Sequence, residues 1–434
     1  MGDLQMRLGK TPVNKKIKIG MVSGSLWRKE ELSEGELNHH VHVIGASGYG
    51  KSVLLSHIVR NRIEEGKGLL YIDLKGERET LLGFSKIAAR VGRIDDFESF
   101  SLTDASLSLP YNMIQDGTPT QLRDRIILSL NWSEQFYKEK SSSFLLRLLI
   151  VLCWLRDHQQ LDLNFSLLLD CLSNPEILAS HSKRLPEDDL RLRGIADVLI
   201  KTLKDRPGFD ALEGLRSQIE SLVLSDFGSL ISRSGGINLF AAAQKSKIVC
   251  LFLDTRRYGE TAKTIGKLIL QDLKAASARV DAEIPVSERK SLTVVIDEFA
   301  DLAGEDFIAF LDRARSSKFF NVLAHQEMAD LNRISPEFAA RLMGNTSTLY
   351  AFLQKRPESA EIVSKMAGTR RAWKETVQSE KFFGVDLPTG TKSLREVEEF
   401  NIHPNLVKTL RVGKCVCIKK YPRSRAYLVD VAGE

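Results

Sequence analysis

No stretch of the 434 residues is long and apolar enough to span a bilayer as a helix. The nearest candidate, FLLRLLIVLCWLRD, is short, is interrupted by Arg147 and reads as a buried helix. The amino-terminal MGDLQMRLGKTPVNKKIKIG is basic and polar and lacks the hydrophobic core of a signal peptide. Cysteine is scarce. The five are Cys153, Cys171, Cys250, Cys415 and Cys417, an odd number with no zinc-finger spacing, which suits a reducing compartment. Cys415 and Cys417 lie two apart in GKCVCIKKY, a strand-like run, so they share a face and read as packing residues. His39, His40 and His42 straddle a strand entry and cannot all face one ion, which argues against a metal cluster. Internal repeats and low-complexity tracts are likewise missing. These absences predict a soluble, cytosolic chain, whole or a piece of something longer.

What is present is ordinary globular composition, 43% hydrophobic and 27% charged, at a length that predicts two or three domains. The net charge of +6 permits a nucleic-acid or acidic partner without requiring one.

The run HVHVIGASGYGKSVLLSHIV carries the first chemistry. GASGYGKS fits the phosphate-loop pattern at Gly45, Gly50, Lys51 and Ser52. Polyphosphate oxygens need several inward-pointing backbone N–H groups, and glycines let the chain curl around them. The following helix adds the positive end of its dipole, Lys51 supplies a point charge, and the Ser52 hydroxyl is a Mg²⁺ ligand. Gly45, Ala46, Ser47, Gly48, Tyr49, Gly50, Lys51, Ser52 and Val53 form the expected nucleotide cradle. A strand before it and an amphipathic helix after it, with Val53, Leu54, Ile58 and Ile63 near one face and Gly66 at the end, supply the required context.

Further along, GKGLLYIDLKGE reads as a buried strand ending in Asp73, Lys75 and Glu77, whose role as site or structural ion pair stays open. FESFSL suggests another strand. From about 120 to 235 the apolar residues follow the helical period, with Pro175, Pro186 and Pro207 as breaks. Strands resume at KIVCLFLDT, SLTVVIDEFADLAG, FNVLAHQ and TSTLYAFLQ, and KCVCIKKYPRSRAYLVDV reads as a closing hairpin. Strands alternating with helices predict a parallel sheet covered on both faces. The expected divisions are a basic segment (1–37), the first part of a nucleotide-binding domain (38–119), an inserted all-α domain (120–235) and the second part of the nucleotide-binding domain (236–434).

LTVVIDEF delivers Asp297 to a sheet edge, where it can hold Mg²⁺, and places Glu298 beside it to polarise an attacking water. Gln326 ends the next strand and suits a sensor of the γ-phosphate or the water. Between them, Arg313 and Arg315 in FLDRARSSKFF are either solvated charges or an arginine finger reaching a neighbouring subunit, with Arg315 the stronger candidate.

These motifs, in this order over about residues 38 to 420, resemble the conjugative coupling proteins of type IV secretion, of the TraD and TraG type, within the FtsK/HerA group of RecA-like hexameric motors. The wider group shares GASGYGKS, VVIDEFADL and ARSSKFFNVLAHQEMADL; DLKGE and SLREVEEFNIHPN are more particular to the coupling proteins. The resemblance implies a RecA-like P-loop NTPase with an all-α domain, assembled as a homo-hexameric ring, that uses ATP and Mg²⁺ to move DNA with a bound relaxase toward a secretion channel. It assigns Lys51 and Ser52 to nucleotide and metal, Asp297 and Glu298 to the acidic pair, Gln326 to the sensor and Arg315 to the finger.

Such proteins usually begin with transmembrane helices, which this sequence lacks. The expectation is therefore a cytoplasmic chain that meets the membrane through a partner or an anchor outside this sequence. MAGTRRAWKET sets Arg370, Arg371 and Lys374 around Trp373, a mix that suits phosphates and stacked bases and is equally a solvated loop. Two other readings stay open: a motor of the same fold for protein cargo or DNA ends, and a nucleotide-gated adaptor that recruits cargo through its helical lobe.

Overall fold

The computed structural model of the protein describes residues 16–382 and 385–433, and for residues 375–394 the backbone alone. Much of the basic amino-terminal segment, residues 1–15, lies outside the described residues. In chain order the strands are β1 (Ile17–Val22), β2 (Lys29–Leu32), β3 (Val41–Ile44), β4 (Gly68–Asp73), β5 (Phe97–Ser101), β6 (Ile248–Phe252), β7 (Leu292–Asp297), β8 (Phe319–His325), β9 (Thr348–Ala351), β10 (Thr369–Phe382), β11 (Val385–Phe400), β12 (Lys414–Lys419) and β13 (Arg425–Val431). Helices α1 (Glu34–Asn38), α2 (Lys51–Glu64) and α3 (Arg78–Arg90) alternate with the first strands. A run of eight follows: α4 (Pro119–Ser129), α5 (Gln135–Gln159), α6 (Phe165–Ser173), α7 (Pro175–Ser182), α8 (Leu190–Lys204), α9 (Arg206–Asp210), α10 (Glu213–Val223) and α11 (Gly228–Ile231). The remaining helices are α12 (Leu239–Lys245), α13 (Thr255–Glu283), α14 (Glu305–Ala314), α15 (Met328–Asn332), α16 (Pro336–Asn345), α17 (Pro357–Ala367) and α18 (Pro404–Lys408).

The chain divides into two compact units, residues 1–58 with 321–434 and residues 59–320, so that it passes from one to the other within α2 and within β8. In the second unit β7, β4, β6 and β5 lie side by side in that order, all parallel. The sequences GLLYID, IVCLF and LTVVID are buried at every position, as strands covered by helices on both faces must be. The FLLRLLIVLCWLRD run is part of α5, with Leu145, Leu148, Leu149, Leu152 and Leu155 fully buried. No helix among the described residues is long and apolar enough to cross a membrane. Pro175 and Pro207 sit in the first turns of α7 and α9, where the missing N–H costs nothing, so they begin helices as well as ending the preceding ones. The helical run is tied to α13 by a buried cluster in which Asp272 accepts from Tyr111 at 2.8 Å and pairs with Arg125 at 3.0 Å.

In the first unit the strand order is β2-β1-β13-β12-β9-β3-β8. The three strands β9, β3 and β8 are parallel; β12, β13, β1 and β2 continue the sheet antiparallel. The β1–β2 hairpin was hidden in the sequence, because only Ile17, Ile19 and Val22 of its first strand are buried apolar residues amid lysines and a glycine. The closing hairpin is present as β12 and β13, with Cys415 and Cys417 buried. All five cysteines are buried and unpaired, and burial pushes the Cys153 thiol up to about 11, which keeps it protonated and inert.

This extension is pinned by an ionic cluster with no signal in the sequence. Lys419, wholly buried, donates to Glu30 and Glu36, each at 2.9 Å, and to the Glu31 carbonyl at 2.7 Å. Glu30 also accepts from Tyr350 at 2.7 Å and Tyr427 at 2.5 Å, so its lone pairs are used in a site that water does not reach. Burial pushes the Glu36 carboxyl upward, but the Ser33 N–H, Lys419 and the Ser33 hydroxyl overcome it and leave the group below its ordinary value of 4.5.

Lys419→Met strands two buried carboxylates. It should cost about 3–5 kcal/mol in urea unfolding at neutral pH. Because Glu36 is held low in the folded state, its contribution is fully present above pH 4.5 and fades as pH falls below it. The difference between Lys419→Met and the parent should therefore narrow at acid pH; an equal gap at both pH values would show that Lys419 acts by packing alone.

Candidate nucleotide site

The phosphate loop leaves the carboxyl end of β3 and is shaped by backbone geometry. Gly45, Gly48 and Gly50 have φ of 153°, 81° and 112°, a left-handed sequence of turns that non-glycine residues resist. At Gly45 the demand is also steric: an added Cβ would fall 2.4 Å from Cβ of Phe352. The Gly45 N–H donates to the Gln326 carbonyl at 2.9 Å and the Ala46 N–H to the Leu353 carbonyl at 3.0 Å. The Gly413 N–H donates to the Tyr49 carbonyl at 3.1 Å, and the Val431 N–H donates to the Gly413 carbonyl at 2.8 Å. His57 on α2 is hydrogen-bonded to the Ala432 carbonyl at 2.8 Å. Lys51, 4% exposed, curls its ammonium onto the Gly45 carbonyl at 2.5 Å, whereas Ser52 opens its turn on the exposed side of α2. Leu54, Leu55, Ile58, Val59 and Ile63 form the buried face of that helix, wider than the spacing predicted.

Gln326 follows β8 directly, and its backbone touches the start of the loop, which brings this sensor candidate to the cradle. Beneath both lie two buried imidazoles that sequence reasoning missed as a pair, with Nε2 of His42 and Nε2 of His325 2.6 Å apart. Burial and the neighbouring His325 hold His42 well below the ordinary histidine range, so it is neutral and one Nε2–H bridges the two rings.

In the second unit the parallel register sets Asp73 directly opposite Asp297 at the ends of β4 and β7. Lys75 reaches across: its ammonium is 2.9 Å from Asp297 and 3.2 Å from Glu298. Burial pulls the Lys75 pKa down, but the two carboxylates overcome this and hold it above its ordinary value. Asp73 accepts from the Lys75 and Glu77 N–H groups at 2.8 and 3.1 Å, yet burial, with a further push from Asp297, raises it to about 6. Glu298 holds φ 58°, ψ 40°, a left-handed conformation uncommon for a glutamate that aims its side chain back toward Lys75. The sequence offered one cue to this cluster: a basic residue two after a strand-end aspartate, beside a strand ending in Asp-Glu.

Arg315 caps α14 and lies near the opposite edge of the same sheet. Its carbonyl accepts from the Lys318 N–H, whose own carbonyl accepts from Leu292 at the start of β7, while Asp297 ends that strand. Within this unit Arg315 and Asp297 thus sit at opposite ends of β7.

Arg370, Arg371 and Lys374 fall on β10 of a hairpin and not on a loop. Arg371 pairs with Glu396 at 3.4 Å and Lys374 with Glu399 at 3.2 Å, so β11 offsets much of their charge, while Trp373 remains 67% exposed. Among the described residues no group of three or more histidine, cysteine or acidic side chains is suited to hold a metal alone. Mg²⁺ asks for less, since it takes one or two protein oxygens with substrate phosphates and water. The exposed Ser52 and the carboxylates of Asp297 and Glu298 are oxygen donors of that kind.

A glycine-shaped loop between β3 and α2 and an acidic pair ending β7 define a RecA-like P-loop protein, and solved structures agree. The unbound conjugative coupling protein TrwBdeltaN70 matches with a TM-score of 0.68 at 16% identity, covering 96% of this chain and 89% of that one. TrwB in complex with ADP and Mg²⁺ matches at 0.66, with 16% identity over 98% and 96% of the two chains. VirB4 of Thermoanaerobacter pseudethanolicus matches at 0.57, with 14% identity over 96% of each. In sequence, residues 291–410 match the family described as the TraM recognition site of TraD and TraG. The type 4 coupling protein DotL of Legionella pneumophila is 22% identical over 397 residues, 78% of this chain and 50% of that protein. The chain spans about half the length of this curated relative. The resemblance to type IV coupling proteins, read from the motifs, is borne out in both sequence and fold.

Lys75→Ala leaves Asp73, Asp297 and Glu298 facing one another. The variant should lose about 1–3 kcal/mol at pH 8 by urea denaturation. Asp73, raised to about 6, binds a proton in the folded state that the unfolded chain has released above its ordinary value of 3.8. Its ionisation therefore erodes stability as pH climbs from about 4 to beyond 6, and the Lys75→Ala deficit should shrink at pH 5. A deficit independent of pH would mean that Lys75 does not serve these carboxylates.

Proposed function

We propose that the chain is the motor part of a type IV secretion coupling protein, an ATPase that drives DNA with its bound relaxase toward a secretion channel. The observation that carries the reading is the phosphate loop, pinned by three other chain segments and followed at once by Lys51 and an exposed Ser52. A similar protein, TrwB, has been solved with ADP and Mg²⁺, which supports the same ligands here.

In this reading the backbone N–H groups of residues 45–52 and the Lys51 ammonium grip the β- and γ-phosphates, and Ser52 and Asp297 are the side chains that would hold Mg²⁺. When bound, the ion neutralises charge spread over the phosphates. Lys75 serves as a stand-in cation on the acidic pair and yields when nucleotide arrives. Glu298 accepts a hydrogen bond from the attacking water and takes its proton; Gln326 orients that water. Arg315, at the far end of β7 from Asp297, acts in a neighbouring subunit of a homo-hexameric ring.

DNA is held through its backbone charge without sequence preference, so binding weakens with salt. Contact through Arg371 and Lys374 requires their pairs with Glu396 and Glu399 to open, whereas Arg370 faces solvent on the same strand. Relaxase or channel components are the proposed protein partners, and a cytoplasmic face of the membrane the proposed location.

ATP hydrolysis by the full chain should rise on adding DNA, most strongly at protein concentrations that favour rings. Lys51→Ala should lower turnover by about a hundredfold or more through lost phosphate binding. Glu298→Gln should block hydrolysis while nucleotide binding, read with a fluorescent analogue, persists. Absence of DNA stimulation under every assembly condition would remove the translocase; retained turnover in Lys51→Ala would remove the site.

A further inference from the structure

The end of the first unit's sheet opposite the phosphate loop has a character the motor reading does not use. β12 is antiparallel to β9, which is parallel to β3, so the β12–β13 turn emerges at the edge where β3 begins, away from Gly45. β1 is antiparallel to β13, so the β1–β2 turn points toward this same edge and leaves the sheet beside Leu428 and Val429 of β13. At its tip are Leu26, 85% exposed, and Trp27, 89% exposed, two large apolar side chains adjacent in sequence.

The tip is built and not frayed. The Val22 N–H donates to the Arg28 carbonyl at 2.8 Å, the Ser25 N–H to the Val22 carbonyl at 3.0 Å, and the Arg28 N–H to the Ser25 hydroxyl at 3.0 Å. The Ser23 N–H ties the turn to the Leu428 carbonyl of β13 at 2.9 Å. The two apolar side chains are thus held outward by a closed hydrogen-bonded turn.

Basic residues surround them. Arg28 and Lys29 follow the tip, and Lys420, Arg423 and Arg425 are exposed on or beside the neighbouring turn, with Tyr421 40% exposed among them. The guanidiniums of Arg28 and Arg425 stand 5.3 and 5.8 Å from the centre of the Tyr427 ring, which binds the two turns into one surface. Of these basic residues, Arg425 pairs with Glu36 at 3.2 Å, whereas Glu30 is buried against Lys419, so the outward charge rests on Arg28, Lys29, Lys420 and Arg423.

We propose that this edge is a docking surface for an anionic lipid bilayer, with Leu26 and Trp27 entering the boundary between headgroups and acyl chains and the basic residues meeting lipid phosphates. A leucine offers nothing to a base or a phosphate, which disfavours nucleic acid. An aliphatic and an indole side chain at one tip, ringed by cations, match the layered polarity of the bilayer surface. The inference is independent of nucleotide hydrolysis.

The test is co-sedimentation of the full chain with vesicles of phosphatidylcholine, alone or mixed with phosphatidylglycerol. The protein should partition onto the mixed vesicles and come off with salt. Leu26→Ser with Trp27→Ser, and separately Arg28→Glu with Arg423→Glu, should each lower partitioning about tenfold or more, with thermal unfolding and basal ATPase unchanged. Brominated lipids should quench tryptophan fluorescence in the parent, and less so in Trp27→Phe. The proposal is overturned if the parent ignores both vesicle types or if the tip variants partition like the parent. It is equally overturned if those variants lose binding to a single-stranded oligonucleotide or a secretion protein while vesicle binding stays intact.

Discussion

The nucleotide cradle depends on a small number of backbone hydrogen bonds that fix where the phosphate loop starts. A loop that presents N–H groups inward leaves its own carbonyls and its first amides in need of partners, and an unsatisfied peptide group at a sheet edge is expensive. Here the partners come from far along the chain: the Gln326 carbonyl for Gly45, the Leu353 carbonyl for Ala46, the Gly413 N–H for Tyr49. Phe352 presses on Gly45 so closely that only glycine fits. The shape of the loop is thus set by the ends of β8 and β9 and the entry to β12 as much as by the loop's own sequence.

Both units meet buried charge with a lysine between acids, to different ends. Lys419 is sealed, has every partner in place and joins the antiparallel extension into one piece. Lys75 is 26% exposed and sits on the strand-end acids, with Asp73 raised to about 6 beside it. A sealed triad of this kind fixes geometry; a partly open one can exchange its cation, which is what an acidic pair needs if it is to alternate between a side chain and a metal ion.

Motifs that carry their own geometry were legible in the sequence. GASGYGKS announces a turn that glycine alone can make, and the all-apolar strands before Asp73 and Asp297 announce a doubly covered parallel sheet. The antiparallel extension was harder to see. KIKIGMV looks like a basic leader because its outward positions are lysine, and the buried partner of Glu30 lies 389 residues away at Lys419. The β10–β11 hairpin was missed for a related reason: TRRAWKET and REVEEF are polar on both faces, and a two-stranded ribbon needs no buried side. Spacing could pick out Arg371 and Lys374 as basic neighbours, but it could not reveal the glutamates across the ribbon.

The bonds from Gly413 to Tyr49 and from His57 to Ala432 join residues 364 and 375 positions apart in the sequence. At about 5–20 residues per second, roughly 20–75 s separate their emergence from the ribosome. Through that interval the nascent chain carries the glycine-rich sequence without the scaffold that shapes it. The loop is thereby left without its native shape until the partners of Tyr49 and His57 have been made.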